Sequence, residues 1–161
     1  KVCKRDRFWD DVNVKVMGYL RMAREAAPHM AAAGWGRIIN ISGLAARQTG
    51  SIIGSIRNVA VSALTKNLAD ELGLKGINVT VVHPGLTRTE KTAPLVAARA
   101  ASAGVSPEEI EQRLAANVTI GRLVDMAEIA DVVAFLASPR SVAINGDAIA
   151  CGGGIKGPIH Y

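Results

Sequence analysis

Two β-branched runs constrain this chain more than any other feature. Arg37-Ile-Ile-Asn-Ile41 and Ile77 to His83 are short, apolar, and bounded by glycine, serine or proline. Such runs predict strands buried on both faces. Between them a helical period returns, with Val61, Leu64, Leu68 and Leu72 recurring every three or four residues. A strand, a helix and a second strand in that order predict a parallel crossover and a sheet covered by helices.

The helical period also opens the chain. Asp6 is a capping residue, and Trp9, Val12, Val16, Tyr19, Leu20 and Ala23 mark a helix to about Met30, stopped by Gly34 and Gly36. Ser42 to Ser55 is small, polar and punctuated by glycine. Loops of that length in compact domains are often functional. The second helix is expected from about Ile56 to Leu72, where Gly73 and Gly76 end it, and Pro84-Gly85 turns the chain after the second strand. Residues 86 to 105 are weakly patterned. Ser106-Pro-Glu-Glu109 is a capping box for a short helix to about Ala116. A second box, Asp125 to Glu128, starts a helix through Ile129, Val132, Val133 and Leu136, stopped by Pro139, and Ala148 to Cys151 reads as a last strand. Three strands leave edges and helix faces uncovered, so further elements are expected before Lys1.

Composition narrows the function classes. The 161 residues suit one domain, and 49% are apolar, as in globular chains. No run of about 18 apolar residues occurs, and no charged, apolar, small-residue leader opens the chain. Neither a membrane span nor a secretory signal is therefore expected. The net charge of +5 comes partly from Lys1, Lys4, Arg5 and Arg7, but no stacking aromatics interleave with basic residues. Nucleic-acid binding is not expected. Cys3 and Cys151 have no metal-site or disulfide-framework spacing. They read as reduced thiols of a cytoplasmic protein with no metal centre.

Several segments together resemble the C-terminal part of the short-chain dehydrogenase/reductase family. Val12-Asn13 resembles its Val-Asn signature, and Gly36-Arg-Ile-Ile-Asn-Ile-Ser-Gly43 the strand leading to its catalytic Ser. Ala63-Leu-Thr-Lys-Asn-Leu-Ala-Asp-Glu-Leu72 resembles the helix after its Tyr-x-x-x-Lys, and Ile77-Asn-Val-Thr-Val-Val-His-Pro-Gly85 the strand and turn beside the nicotinamide. Gly121-Arg-Leu123, Ala134-Phe-Leu-Ala-Ser138 and Ile144 to Gly153 resemble its C-terminal signatures. The resemblance implies an α/β fold: a Rossmann-like, doubly wound parallel sheet. Residues 1–161 would supply the C-terminal half of that single domain, with residues 90–116 as a substrate lid. It also implies NAD or NADP as cofactor, although the family's phosphate-binding Gly-x-x-x-Gly-x-Gly turn is absent from this chain.

In this family a Tyr hydroxyl acts as acid or base, and a Lys four residues on lowers its pKa and binds ribose. A Ser polarises the substrate carbonyl, and an Asn holds a water in the proton relay. Aligning these positions through the helix Ala63 to Leu72 puts the Tyr place on Gly54, the Lys place on Asn58 and the Ser place on Gly43. Only Asn13 is retained. Glycine has no proton to give, and a neutral amide carries no charge. Arg57 is about 100° around the helix from Asn58 and faces elsewhere.

Ser42 either lines the site or caps the loop backbone. Asn58 either meets a ribose hydroxyl or satisfies an amide at the helix start. Asn13 is expected to hydrogen-bond the adjacent strand, its relay role lapsing without Tyr and Lys. The resemblance makes Pro84, Gly85, Thr87 and Thr89 the nicotinamide contacts. His83 is either an unorthodox acid or packed beneath the turn. Cys151 reads as core.

The resemblance thus implies an NAD(P)-binding oxidoreductase-like protein that lacks ordinary Tyr/Lys-dependent carbonyl reduction or alcohol oxidation, with any substrate small and apolar. Alternatives are a non-catalytic scaffold of the same fold, or a lyase or dehydratase using His83 or Ser42. The apolar stripes Val16 with Leu20 and Leu64 with Leu68 lie on helices that form the family's dimer interface, which implies a homodimer or homotetramer.

Overall fold

The structure, a computed structural model, describes residues 5–156. Cys3, Lys1 and Lys4 lie outside the described residues. The chain divides into two compact units. One comprises the residues to His83 with Val133–Ile149, and the other Pro84–Val132 with the residues from Ala150.

The first unit opens with helix α1 (Arg5–Asp11), a π-helical segment (Val12–Met17) and helix α2 (Gly18–Ala32). Strand β1 (Gly36–Ile41), a 3-10 turn (Leu44–Arg47) and helix α3 (Ile52–Leu72) follow. Strand β2 (Ile77–Pro84) then runs parallel to β1, from Gly36 opposite Ile77 to Ile41 opposite Val82. Strand β5 (Ala148–Cys151) completes the order β1-β2-β5.

The central strand is buried on both faces, as its unbroken β-branched run predicts: Ile77, Val79, Thr80, Val81, Val82 and His83 are all buried. On one side Ile77 and Val79 form a core with Ala69 and Leu72, against which Ala27, Met30 and Leu68 pack. Two of the polar contacts inside this unit pair buried groups, while Arg37 Nε and Arg57 Nε are buried without a partner. Asn40 Nδ2 donates to Thr65 Oγ1 (2.9 Å), and Asn145 Oδ1 accepts the Val79 N–H (2.8 Å). Each such bond removes the cost of burying an unsatisfied group.

Helix α3 begins at Ile52, earlier than the expected Ile56. Ser51 has extended backbone and its Oγ accepts the Gly54 N–H, so an N-cap stands where the sequence reads as loop.

In the second unit the weakly patterned stretch holds strand β3 (Thr87–Arg88) and helix α4 (Thr92–Ala103). A two-residue strand is too short to show a period, and an alanine-rich helix carries a weak one. Each capping box makes one of its two reciprocal bonds. Ser106 Oγ accepts the Glu109 N–H at the start of α5 (Pro107–Ala115). Strand β4 (Val124–Asp125) pairs in parallel with β3, and the Glu128 carboxylate accepts the Asp125 N–H at the start of α6 (Met126–Ala137). Val96, Ala100 and Ile110 form the core between α4 and α5.

Gly76 joins α3 to β2 at φ +78°, and a Cβ there would lie 2.2 Å from the Gly34 carbonyl oxygen. Gly76→Ala should therefore destabilise the fold by about 2 kcal/mol or more, measured by chemical denaturation.

The buried His83 ring is spanned by two bonds. The Gly43 N–H donates to Nδ1 (3.2 Å), so the neutral ring carries its proton on Nε2 and donates to Ser62 Oγ (3.1 Å). Burial, then the Arg47 charge, holds its pKa below the ordinary 6.5. Below pH 6.5 the unfolded chain binds this proton more readily than the folded chain. Stability should fall as pH drops from 6.5 toward the lowered folded value. Denaturant midpoints measured across that range should show the slope, and His83→Gln should flatten it.

Candidate functional site

The end of β1, the second turn of α3 and the end of β2 bring Ser42, Gly43, Asn58 and His83 together in the first unit. Ser42 continues the β1–β2 pairing by one bond, its N–H donating to the Val82 carbonyl (2.8 Å). Its Oγ donates to the main-chain carbonyl of Asn58 (3.2 Å). Ser42 thus caps backbone, but the backbone is that of α3 rather than of its own loop. Gly43 follows in extended conformation (φ 166°), and its N–H is taken by His83. Gly54 lies in the first turn of α3, where a Cβ would stand 3.0 Å from Ser51 Oγ.

Asn58 is buried, with 4% of its surface exposed. Because α3 begins at Ile52, Asn58 is not a helix-start residue, and its side chain does not serve a local amide. Its Oδ1 accepts from the Lys15 ammonium (3.2 Å), and its main-chain carbonyl accepts from Ser62 Oγ (3.3 Å) as well as from Ser42. Lys15 Nζ also donates to the Ser42 carbonyl (3.1 Å). An ammonium group therefore stands beside the position that sequence alignment leaves uncharged. Burial and the nearby Arg57 guanidinium push the Lys15 pKa below the ordinary lysine value, against an opposing pull from Asp11.

Arg57 faces away from Asn58, as its helical phase predicts, and pairs with Asp11 at 3.2 Å. Tyr19 is one turn along from Lys15, and its hydroxyl donates to the Ile41 carbonyl (2.7 Å). Burial pushes that phenol upward in pKa, which makes it a weaker acid. Asn13 corrects an expectation. Its side chain is exposed and accepts from Arg21 Nη2 (2.8 Å) rather than bonding the adjacent strand. His83 is packed and doubly bonded, which is the structural alternative of its two readings.

Sequence reasoning missed Lys15, Tyr19 and Ser62. A signal existed for the first two. Val12, Lys15, Val16 and Tyr19 follow the i, i+3, i+4, i+7 pattern of one helix face, so Lys15 interrupts an apolar stripe. Lysines placed in such a stripe need a partner for the ammonium.

The remaining predicted positions lie in the second unit, with Pro84 at its border. The Gly85 N–H donates to the Cys151 carbonyl (3.2 Å). Thr87 Oγ1 donates to the Gly85 carbonyl (3.2 Å), and Thr89 Oγ1 accepts the Lys91 N–H (3.3 Å). Thr92 ties the segment together, its Oγ1 accepting the Thr89 N–H (2.8 Å) and donating to the Thr87 carbonyl (3.2 Å). These hydroxyls fix the backbone of a turn. Cys151 is buried, and burial pushes its thiol up in pKa, in keeping with a core residue. Among the described residues no His, Cys, Asp and Glu cluster could hold a metal, and no helix is long and apolar enough to cross a membrane.

Comparison with known proteins agrees with the fold. The family model described as enoyl-(acyl carrier protein) reductase matches residues 2–156. The short-chain reductase protein NovJ of Streptomyces niveus is 33% identical over 151 residues, 92% of this chain and 56% of its own length. The 3-oxoacyl-[acyl-carrier-protein] reductase FabG of Pseudomonas aeruginosa is 31% identical over 162 residues, 94% of this chain and 58% of its own length. The chain thus spans little more than half the length of these relatives. Among solved structures, L-sorbose reductase from Gluconobacter frateurii complexed with NADPH and L-sorbose superposes with a TM-score of 0.90 at 25% identity, covering 98% of this chain and 61% of that one. A 3-oxoacyl-[acyl-carrier protein] reductase with bound NAD from Brucella melitensis gives 0.80 at 27% identity, covering 98% and 55%. In its α/β parallel-sheet fold and along nearly its whole length, this chain belongs to the short-chain dehydrogenase/reductase family.

Proposed function

We propose that this protein binds NAD or NADP and does not carry out ordinary Tyr/Lys-dependent carbonyl reduction or alcohol oxidation. The cofactor half of the reading is supported by similarity to the NADPH and NAD complexes. Pro84, Gly85, Thr87 and Thr89 would make the nicotinamide contacts, on a turn that the Thr92 hydroxyl holds rigid.

The observation that carries the catalytic half is the pair Gly54 and Asn58. The first offers no hydroxyl, and the amide oxygen of the second is engaged by an ammonium. Bound cofactor would supply hydride chemistry, but position 54 supplies no proton to a developing alkoxide. His83 does not replace it, because its ring is neutral and committed on both nitrogens. That arrangement also leaves the lyase or dehydratase reading through His83 without support. Any substrate would be small, met by the alanine-rich α4 of the lid segment 90–116.

The expected oligomer is a homodimer or homotetramer. A groove of about 460 Å³ between α2 and α3, lined by Leu20, Ala23, Ala27, Leu68 and Leu72, supports a subunit contact there.

The natural full-length protein should bind NADH or NADPH saturably, followed by nicotinamide fluorescence, while failing to oxidise either with 3-oxoacyl thioesters or sugar ketones. Absence of binding would favour the scaffold reading, and turnover in the natural protein would refute the reading of positions 54 and 58. Restoring Gly43→Ser, Gly54→Tyr and Asn58→Lys together should create reductase activity. Ser51→Gly should accompany them to relieve the 3.0 Å contact at position 54. Sedimentation should give a mass of two or four chains, and a mass of one would overturn the oligomer.

A further inference from the structure

Lys15 is the least explained charge in the first unit. It arises from the π-helical segment Val12–Met17, a helix form that is rare and frequent at functional sites. Its ammonium is half-buried and reaches two acceptors far along the chain, the Ser42 carbonyl at 3.1 Å and Asn58 Oδ1 at 3.2 Å. A lysine that merely filled space would extend its charge to solvent. This one turns inward to position 58, which sequence alignment places at the site, and to Ser42, one residue before the aligned serine position.

The surroundings do not neutralise it. Asp11 is shared with Arg57, to which it is paired at 3.2 Å. Among the described residues, the other charged or titratable groups whose charge reaches this cluster are Arg57, Tyr19, His83 and Arg47, none of them an acid ionised at neutral pH. The two acceptors of Lys15 are neutral oxygens. An ammonium has three N–H donors, and these acceptors use two. A third remains for an oxygen atom of a ligand.

We propose that Lys15 supplies, from the neighbouring helix, the positive charge that position 58 lacks, and that Asn58 is its positioning residue, so that the ammonium binds a hydroxyl oxygen of the bound nucleotide. This assignment rests on the nucleotide-binding reading above. It involves no proton transfer and no bond cleavage. It differs from a structural latch in one respect: the ammonium is a binding group whose affinity for its ligand depends on its charge, whereas Tyr19, bonded to the Ile41 carbonyl, has its one proton already committed.

The test uses the full-length protein with NADPH as probe. Lys15→Met should weaken binding by about tenfold, the effect of losing one charge-assisted hydrogen bond. The double variant Lys15→Met with Asn58→Lys returns the charge from the other helix and should recover most of the loss. A measurement that needs no substitution is the pH titration of the Lys15 Nζ by nitrogen-15 NMR. It should fall below the ordinary lysine value of 10.5 in the free protein and rise when NADPH saturates it. Asn58→Leu should lower it further. A Lys15→Met variant that binds NADPH as the natural protein does, or an Nζ titration that NADPH leaves unmoved, overturns the assignment and leaves the nucleotide reading standing. A natural protein that binds no NADPH overturns both.

Discussion

A strand buried on both faces needs a covering layer above and below, and that constraint orders the first unit. β2 also has a neighbour on each side, β1 and β5. The parallel register with β1 requires a long crossover, which α3 provides. The crossover in turn places the start of α3 beside the end of β1, where Ser42 meets Asn58. The site positions are therefore a by-product of covering Ile77, Val79, Val81 and Val82. The same burial makes every polar group at that end expensive unless paired, and the bonds among Ser42, Gly43, Asn58, Ser62 and His83 are the result.

That network is organised around acceptors rather than acids. The Asn58 carbonyl receives two hydroxyls, and its side-chain oxygen receives an ammonium. His83, read in isolation, has the chemistry of a proton donor near neutral pH, but its position between an N–H and a hydroxyl holds it neutral. The composition of a site is thus a poor guide to its chemistry. A titratable group matters by what its hydrogen bonds leave free.

Much of the architecture was legible in the sequence because it rests on period and punctuation. The two β-branched runs gave β1 and β2, and helices start where Ser106 and Glu128 announced them, each with one capping bond. The start of α3 was hidden because Ser51 lies among glycines and serines that equally suit a loop. Strands β3 and β4, two residues each, exist only by mutual pairing and leave no local trace. At the site, the residues at positions 43, 54 and 58 could be read by alignment, but Lys15 could not. Its contact joins residues 43 positions apart, and only the tertiary crossing of two helices creates it. Asn13 failed as an expectation for the same reason. The sequence shows the residue, and the π-helical segment decides which way it points.

The close approach of position 54 to its capping serine limits which side chains this helix start admits. In the first turn of α3, a Cβ at 54 would press on the oxygen that starts the helix, and Asn58 already holds a lysine from another element. A tyrosine at 54 and a lysine at 58 would each meet an occupied neighbour, the Ser51 hydroxyl and the Lys15 ammonium, so neither side chain enters this helix without a second change beside it.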